Sequence, residues 1–140
     1  MITNEYEITI EARKDKLDDL MIFIDSHLEE FDCSMKAQMQ IDVAVEELFV
    51  NIANYAYAPE IGNATIRMIF SDEPGEVTIV FIDSGVPYDP LKKDDPDITL
   101  SVDERAIGGL GIFMVKKSMD DMFYEYKDGQ NILSIVKKLG

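Results

Sequence analysis

Apolar residues recur along this chain in two rhythms, and each change of rhythm marks a new element. Glu5 to Glu11, EYEITIE, alternates with Tyr6, Ile8 and Ile10 on one face, which predicts a strand. From Lys14 to Phe31, residues Leu17, Leu20, Met21, Ile24, Leu28 and Phe31 recur at helical spacing and predict a long amphipathic helix covering that strand. A second helix is predicted over Ile41 to Tyr57, IDVAVEELFVNIANYAY. At about 100° per residue, Ile41, Ala44, Val45, Leu48, Phe49, Ile52, Tyr55 and Ala56 gather on its apolar face. Ser34 is placed to cap its start, and Pro59 ends it soon after Tyr57. Thr65 to Ser71 and Glu76 to Ile82 read as strands joined by Asp72-Glu73-Pro74-Gly75, which is hairpin-turn chemistry. Ile112 to Ser118 is a helical run, and Met119 to Tyr126 with Asn131 to Lys138 reads as a last strand pair turned at Asp128-Gly129-Gln130. About five strands and three main helices, mostly antiparallel, make an α+β sandwich rather than a doubly wound sheet.

One feature of the 41 to 57 helix departs from simple amphipathicity. Glu47, Asn51 and Asn54 fall at i, i+4 and i+7, in a narrow polar stripe beside the apolar face instead of opposite it. Glu46 and Asp42 are expected on the solvated side. The stripe is either the polar border of a half-buried helix or part of a site, and the helix alone does not choose.

Composition narrows the functions. At 140 residues the chain fits one domain, 1–140, large enough to bury its own core. The N-terminal segment lacks a signal-peptide apolar core, and no apolar run approaches the roughly 18 residues of a membrane span, so the expectation is a soluble, cytoplasmic protein. One cysteine, Cys33, and one histidine, His27, are expected to be surface or packing residues. Acidic residues number 28 against 13 basic, net −15, which argues against direct nucleic-acid binding or docking on an anionic membrane. An anionic ligand would then need a divalent cation or the free N–H groups of a helix start.

After Ile82 the periodicity stops for 29 residues, from Asp83 to Gly111. Stretches longer than about 12 to 15 residues without an element are usually functional lids or disordered. This one opens on Asp83-Ser84-Gly85 and closes on Gly108-Gly109-Leu110-Gly111, before the third helix, which suggests a hinged flap. Glycines before a helix let backbone approach a phosphate; a carboxylate at a strand end accepts a hydrogen bond from an exocyclic amine. Either motif alone is also plain turn chemistry.

Taken in order, Glu47 with Asn51, Asp83-Ser84-Gly85 and Gly108-Gly109-Leu110-Gly111 resemble the N, G1 and G2 boxes of the GHKL (Bergerat-fold, histidine-kinase-like) ATPases. Within that superfamily the chain looks most like the anti-sigma-factor serine kinases, through VEELFVNIANYAY, VTIVFIDSGVPYDP and ERAIGGLGIFMVKKSMDDMFYEYKDGQNILSIVKK. The sensor-kinase branch fits less well, because His27 stands in no phosphoacceptor helix. The resemblance implies a two-layer sandwich: a mixed, mostly antiparallel sheet of about five strands with three main helices on one face. It implies ATP and Mg²⁺ as cofactors, Glu47 as general base and Asn51 as Mg²⁺ ligand. Asp83 would take the adenine amine, Gly85 would let the base sit close, and Gly108, Gly109 and Gly111 would form the phosphate loop. Arg105 is either a γ-phosphate contact or a solvated loop arginine; Asn54 either touches ligand or borders the helix. The implied activity is serine/threonine protein kinase and anti-sigma factor, with a sigma factor and an anti-sigma-factor antagonist protein as partners. The alternative is a non-catalytic, ATP-gated binding module. Whether a homodimer forms is left open.

Overall fold

A computed structural model of the chain describes residues 3–72, 75–92 and 109–140. The elements are β1 (Thr3–Glu11), α1 (Leu17–Glu30), α2 (Met35–Asn51), β2 (Asn63–Asp72), β3 (Gly75–Asp83), α3 (Gly109–Ser118), β4 (Asp121–Lys127) and β5 (Gln130–Lys138). One five-stranded sheet runs in the order β1-β2-β3-β5-β4. All of its pairings are antiparallel, so the mixed sheet expected from the resemblance is corrected to an antiparallel one.

Local chemistry accounts for most boundaries. The side chain of Ser34 accepts the Ala37 N–H at 3.1 Å and caps α2, satisfying one of the donors a helix start leaves free. Lys14 to Lys16 forms a 3₁₀ turn, so the predicted helix starts as α1 only at Leu17. β4 and β5 close through Asp128 and Gly129 at φ 54° and 77°. Positive φ at both central residues is what a type I′ hairpin needs, and its twist matches that of the strands. β2 and β3 are paired up to Asp72 and Gly75, as the predicted hairpin requires; Glu73 and Pro74 lie outside the described residues.

Alternation along the strands decides which face is core. Ala64, Ile66, Met68 and Phe70 of β2, Val77, Ile79 and Phe81 of β3, and Leu133 and Ile135 of β5 are buried. They meet Leu20, Ile24 and Leu28 of α1, Ile41, Ala44, Val45, Leu48 and Phe49 of α2, and Ile112 and Val115 of α3 in one cluster. Each large side chain contributes roughly 1.5–3 kcal/mol on burial, and α2 supplies four of them, so it is the helix best fixed to the sheet. The opposite sheet face carries polar cross-strand pairs, including Arg67 on Glu7 at 2.9 Å and Thr9 on Thr65 at 2.9 Å. His27 stacks on Tyr6 with ring centroids 3.8 Å apart and Cys33 packs against the core, so both are packing residues as expected. Among the described residues, no helix is long and apolar enough to cross a membrane.

Candidate functional site

The end of α2 is where the site begins. α2 stops at Asn51 and continues as a π turn over Ile52–Ala56, followed by Tyr57 and a cis Ala58-Pro59 bond. A π turn spaces its hydrogen bonds five residues apart and so departs from the 3.6-residue period. Tyr55, expected in the core, is therefore 58% exposed and lines a cleft instead. The Ala56 carbonyl, turned outward, accepts the Val86 N–H at 3.0 Å. Gly85 lies so close that a Cβ there would stand 2.2 Å from the Ala56 oxygen. The Tyr57 hydroxyl donates to the Asn63 carbonyl at 2.7 Å and accepts from the Ser84 N–H at 2.7 Å. The backbone that follows Asp83 is thus tied to the end of α2 and the start of β2.

Sheet register builds the polar centre of the cleft. β3 and β5 pair so that Asp83 sits opposite Asn131. Both are buried, at 7% and 6% exposure. Asp83 Oδ1 accepts from the Gly85 N–H and from Asn131 Nδ2, each at 2.9 Å. Asn131 Nδ2 also donates to the Val86 carbonyl at 2.9 Å, while its Oδ1 accepts the Tyr88 N–H at 3.1 Å and the Tyr124 hydroxyl. Both protein donors to Asp83 go to Oδ1; among the described residues Oδ2 receives none. Around this pair lies a cleft of about 740 Å³, counted out to its open mouth, with Leu48, Ile52, Phe81, Ile112 and Leu133 among its walls and Asn51 also on it. Apolar walls converging on one oriented carboxylate suit a flat heteroaromatic ring that carries an amine.

Glu47 and Asn51 share one side of α2, four residues apart, close enough for the Asn51 amide to act on the Glu47 carboxyl. Partial burial raises the Glu47 carboxyl above its usual range, the Asn51 amide pulls it back, and Glu46 pushes it up again. The carboxylate rests against the first turn of α3: a Cβ on Gly111 would stand 2.0 Å from Glu47 Oε1. Gly109 opens α3, so the N-terminal N–H groups of that helix lie beside Glu47. A carboxylate, an amide, a helix N-terminus and an apolar-walled cleft are thereby gathered at the C-terminal end of α2.

A sequence profile described as the histidine kinase-like ATPase domain matches residues 10–137. The chain belongs to that family. Serine/threonine-protein kinase BtrW of Bordetella bronchiseptica is 27% identical over 103 residues, 73% of this chain and 71% of BtrW. Serine-protein kinase RsbW of Bacillus cereus is 28% identical over 95 residues, 65% of this chain and 58% of that protein. The chain thus spans less than two thirds of the length of RsbW. The crystal structure of the RsbU and RsbW domains of Rv1364c from Mycobacterium tuberculosis superimposes with a TM-score of 0.69 over 97% of this chain and 32% of that one. At 15% identity the likeness is one of fold.

In this histidine kinase-like ATPase domain the cleft suits ATP: it has apolar walls for a base, Asp83 with one oxygen that receives no donor among the described residues, and Asn51 on its lining. Of the residues singled out in the sequence, Asn51 and Asp83 line the cleft, Gly85 underlies it against Ala56, and Glu47 and Gly111 touch beside it. Arg105 and Gly108, with the rest of the flap from residue 93 to 108, lie outside the described residues. Asn54 falls in the π turn and is not among the cleft-lining residues described. Gly85 has a reason the sequence did not give: it is the Ala56 backbone that leaves no room for a side chain.

Asn131, Tyr124 and Tyr57 were missed. The signal for Asn131 was present, since it shares one strand face with Leu133 and Ile135 and is the polar member of that face. Asp42 needs a correction. It is half-buried against α1 instead of solvated, its Oδ1 lacking a hydrogen-bond donor among the described residues. Burial, the facing Asp25 carboxyl and Glu29 push its own carboxyl up to about 8. Burial and neighbouring negative charge both disfavour the ionised carboxylate, which is why the value rises.

Proposed function

We propose that the chain is an ATP-dependent serine/threonine protein kinase that acts as an anti-sigma factor, holding a sigma factor and phosphorylating a serine on its antagonist protein. The observation that carries the reading is Glu47 set beside Asn51 and the first turn of α3, at the edge of the cleft that contains Asp83. The kinase names of BtrW and RsbW support it, as does the resemblance to the anti-sigma-factor kinases. Sigma factors and their antagonists work in the cytoplasm, and the chain would work there with them.

In this reading Asp83 Oδ2 accepts the adenine amine, with Asn131 and the Gly85 N–H holding the carboxylate by its other oxygen. Asn51 would hold Mg²⁺, a hard cation that suits an amide oxygen and would neutralise phosphate charge. Gly109 and Gly111, with Gly108 and Arg105 before them, take the phosphates at the α3 N-terminus, where backbone N–H groups offset a net charge of −15. Glu47 takes the proton of the acceptor serine as its Oγ bonds to the γ-phosphorus. The bond from that phosphorus to the bridging oxygen breaks, and ADP leaves with the electron pair. A carboxyl raised by burial is a stronger base than one in water, which serves this step.

The test is incubation with labelled ATP and the antagonist protein encoded beside this chain's gene. Label is expected on a serine of the antagonist and lost in Glu47→Gln. An unlabelled antagonist that still binds only with ATP would replace the kinase with an ATP-gated binding module.

A further inference from the structure

α2 carries a feature the cleft does not use. Met35, Met39, Val43, Glu47 and Asn51 follow one another at four-residue steps and form a single ridge along the helix. Its first three members are exposed apolar side chains, at 80%, 64% and 60% exposure, and its last two are the site residues. Each step of four advances about 40° around the axis, so the ridge winds from the outer surface of α2 to the side that meets α3. Gln38 and Asp42 face α1, and Ile41, Ala44, Val45 and Leu48 face the sheet. Beyond Glu47 the surface continues onto α3, where Met114, one turn on from Gly111, is again exposed. Single exposed apolar residues are ordinary. Three in register that lead to a carboxylate are a track with a direction.

We propose that this ridge, with Met114, is the docking surface for the protein that accepts the phosphoryl group, which lays an apolar helix face along Met35, Met39 and Val43 and so brings its hydroxyl to Glu47. The inference rests on the kinase reading and adds the place where the substrate protein binds. From Met35 to Glu47 the helix rises roughly 18 Å, enough for about three turns of a partner helix. Two of the three exposed residues are methionines, whose flexible thioethers adapt to a partner's shape. Charge selects among occupants: exposed Glu46 flanks the track and the chain carries net −15. Like charge opposes a second copy, whereas a partner with basic residues beside its apolar strip is drawn in.

The test uses Met39→Lys and Val43→Lys in the full chain, with Ile61→Lys, an exposed apolar residue away from α2, as control. The probe is the same neighbouring antagonist protein, titrated calorimetrically in the presence of Mg²⁺ and ADP and assayed as acceptor. Both ridge variants should fold, bind ATP as the parent does and keep kcat, while Kd and KM for the antagonist rise at least tenfold; the control should match the parent. Parental affinity in folded ridge variants overturns the docking surface. So does a parent dimer that Met39→Lys dissociates in sedimentation, because the ridge would then belong to a second copy. If the antagonist binds the parent through the ridge but never takes up label, the docking surface stands and the kinase reading fails. If it takes up label from both ridge variants with parental KM, the reverse holds.

Discussion

Gly85 and Gly111 are both too crowded for a side chain, but the neighbours differ in kind, and substituting each by alanine should break different things. At Gly85 the new Cβ would meet backbone: the Ala56 oxygen at 2.2 Å, its carbonyl carbon at 2.6 Å and its Cβ at 2.6 Å. None of these can rotate away. The π turn and the segment after Asp83 would have to separate by about 1 Å, an overpacking cost of roughly 1–3 kcal/mol. The Val86 to Ala56 bond, now 3.0 Å, would go with it, adding about 0.5–1.5 kcal/mol. A total of about 1.5–4.5 kcal/mol at roughly 4 °C per kcal/mol lowers the melting temperature by about 6–18 °C, and ATP affinity falls because the Asp83 loop moves. At Gly111 the new Cβ would meet Glu47 Oε1 at 2.0 Å, Cδ at 2.2 Å and Oε2 at 2.6 Å. Those atoms end a flexible side chain, so Glu47 swings aside. Stability is kept or gains up to about 1 kcal/mol from the better helix former. Displacing a base by more than 1 Å should cost about 10²-fold in phosphoryl transfer, with ATP affinity near that of the parent. Thermal unfolding, calorimetric ATP titration and the label assay on both variants read all three quantities. Parental melting of Gly85→Ala, or parental transfer by Gly111→Ala, would refute the packing argument.

Asn131→Ala should weaken ATP binding about as much as Asp83→Asn does, roughly 1.5–3 kcal/mol, because it frees the Asp83 carboxylate and the Val86 carbonyl together; calorimetry with ATP against GTP reads it, and unchanged affinity in a folded variant removes Asn131 from the site. Asn51→Ala should abolish the Mg²⁺-dependent part of ATP affinity while leaving the melting temperature near that of the parent; equal enhancement by Mg²⁺ in both proteins would release Asn51 from that role. Glu47→Gln should bind ATP normally and lose roughly 10²- to 10⁴-fold in transfer, and in the parent transfer should rise with pH through a value above the usual carboxylate range; a flat pH profile counts against a base. The Asp42 carboxyl, pushed up to about 8 when folded, has an unfolded value of about 3.9, so the folded state binds the extra proton. Its stabilisation is complete below about pH 4 and is lost as pH rises through about 8. Asp42→Asn should flatten the fall in melting temperature between about pH 4 and 8, and an equally steep fall in the variant would show that other groups cause it.

The elements were legible because each rests on a local property of the chain. Two-residue alternation placed β1, β2, β3 and β5, helical spacing placed α1 and α2, Ser34 marked the start of α2, and Asp128-Gly129 marked the last hairpin. Asp83 could be singled out for the same reason, as a carboxylate where a strand pattern stops before glycine. The tertiary structure decided what depends on partners distant in sequence. Asn131 meets Asp83 only because β3 and β5 pair in one register, across 48 residues. Gly85 is confined by Ala56, Gly111 by Glu47, and Asp42 by an α1 carboxyl that no pattern within α2 announces. The π turn belongs with these: periodicity assumes 3.6 residues per turn, and the extra spacing that turned Tyr55 from the core to the cleft shows only once Ala56 has reached Val86. A periodic pattern records which face of an element is buried; which residues then meet across that interface is set by docking the elements, and the site is made of those meetings.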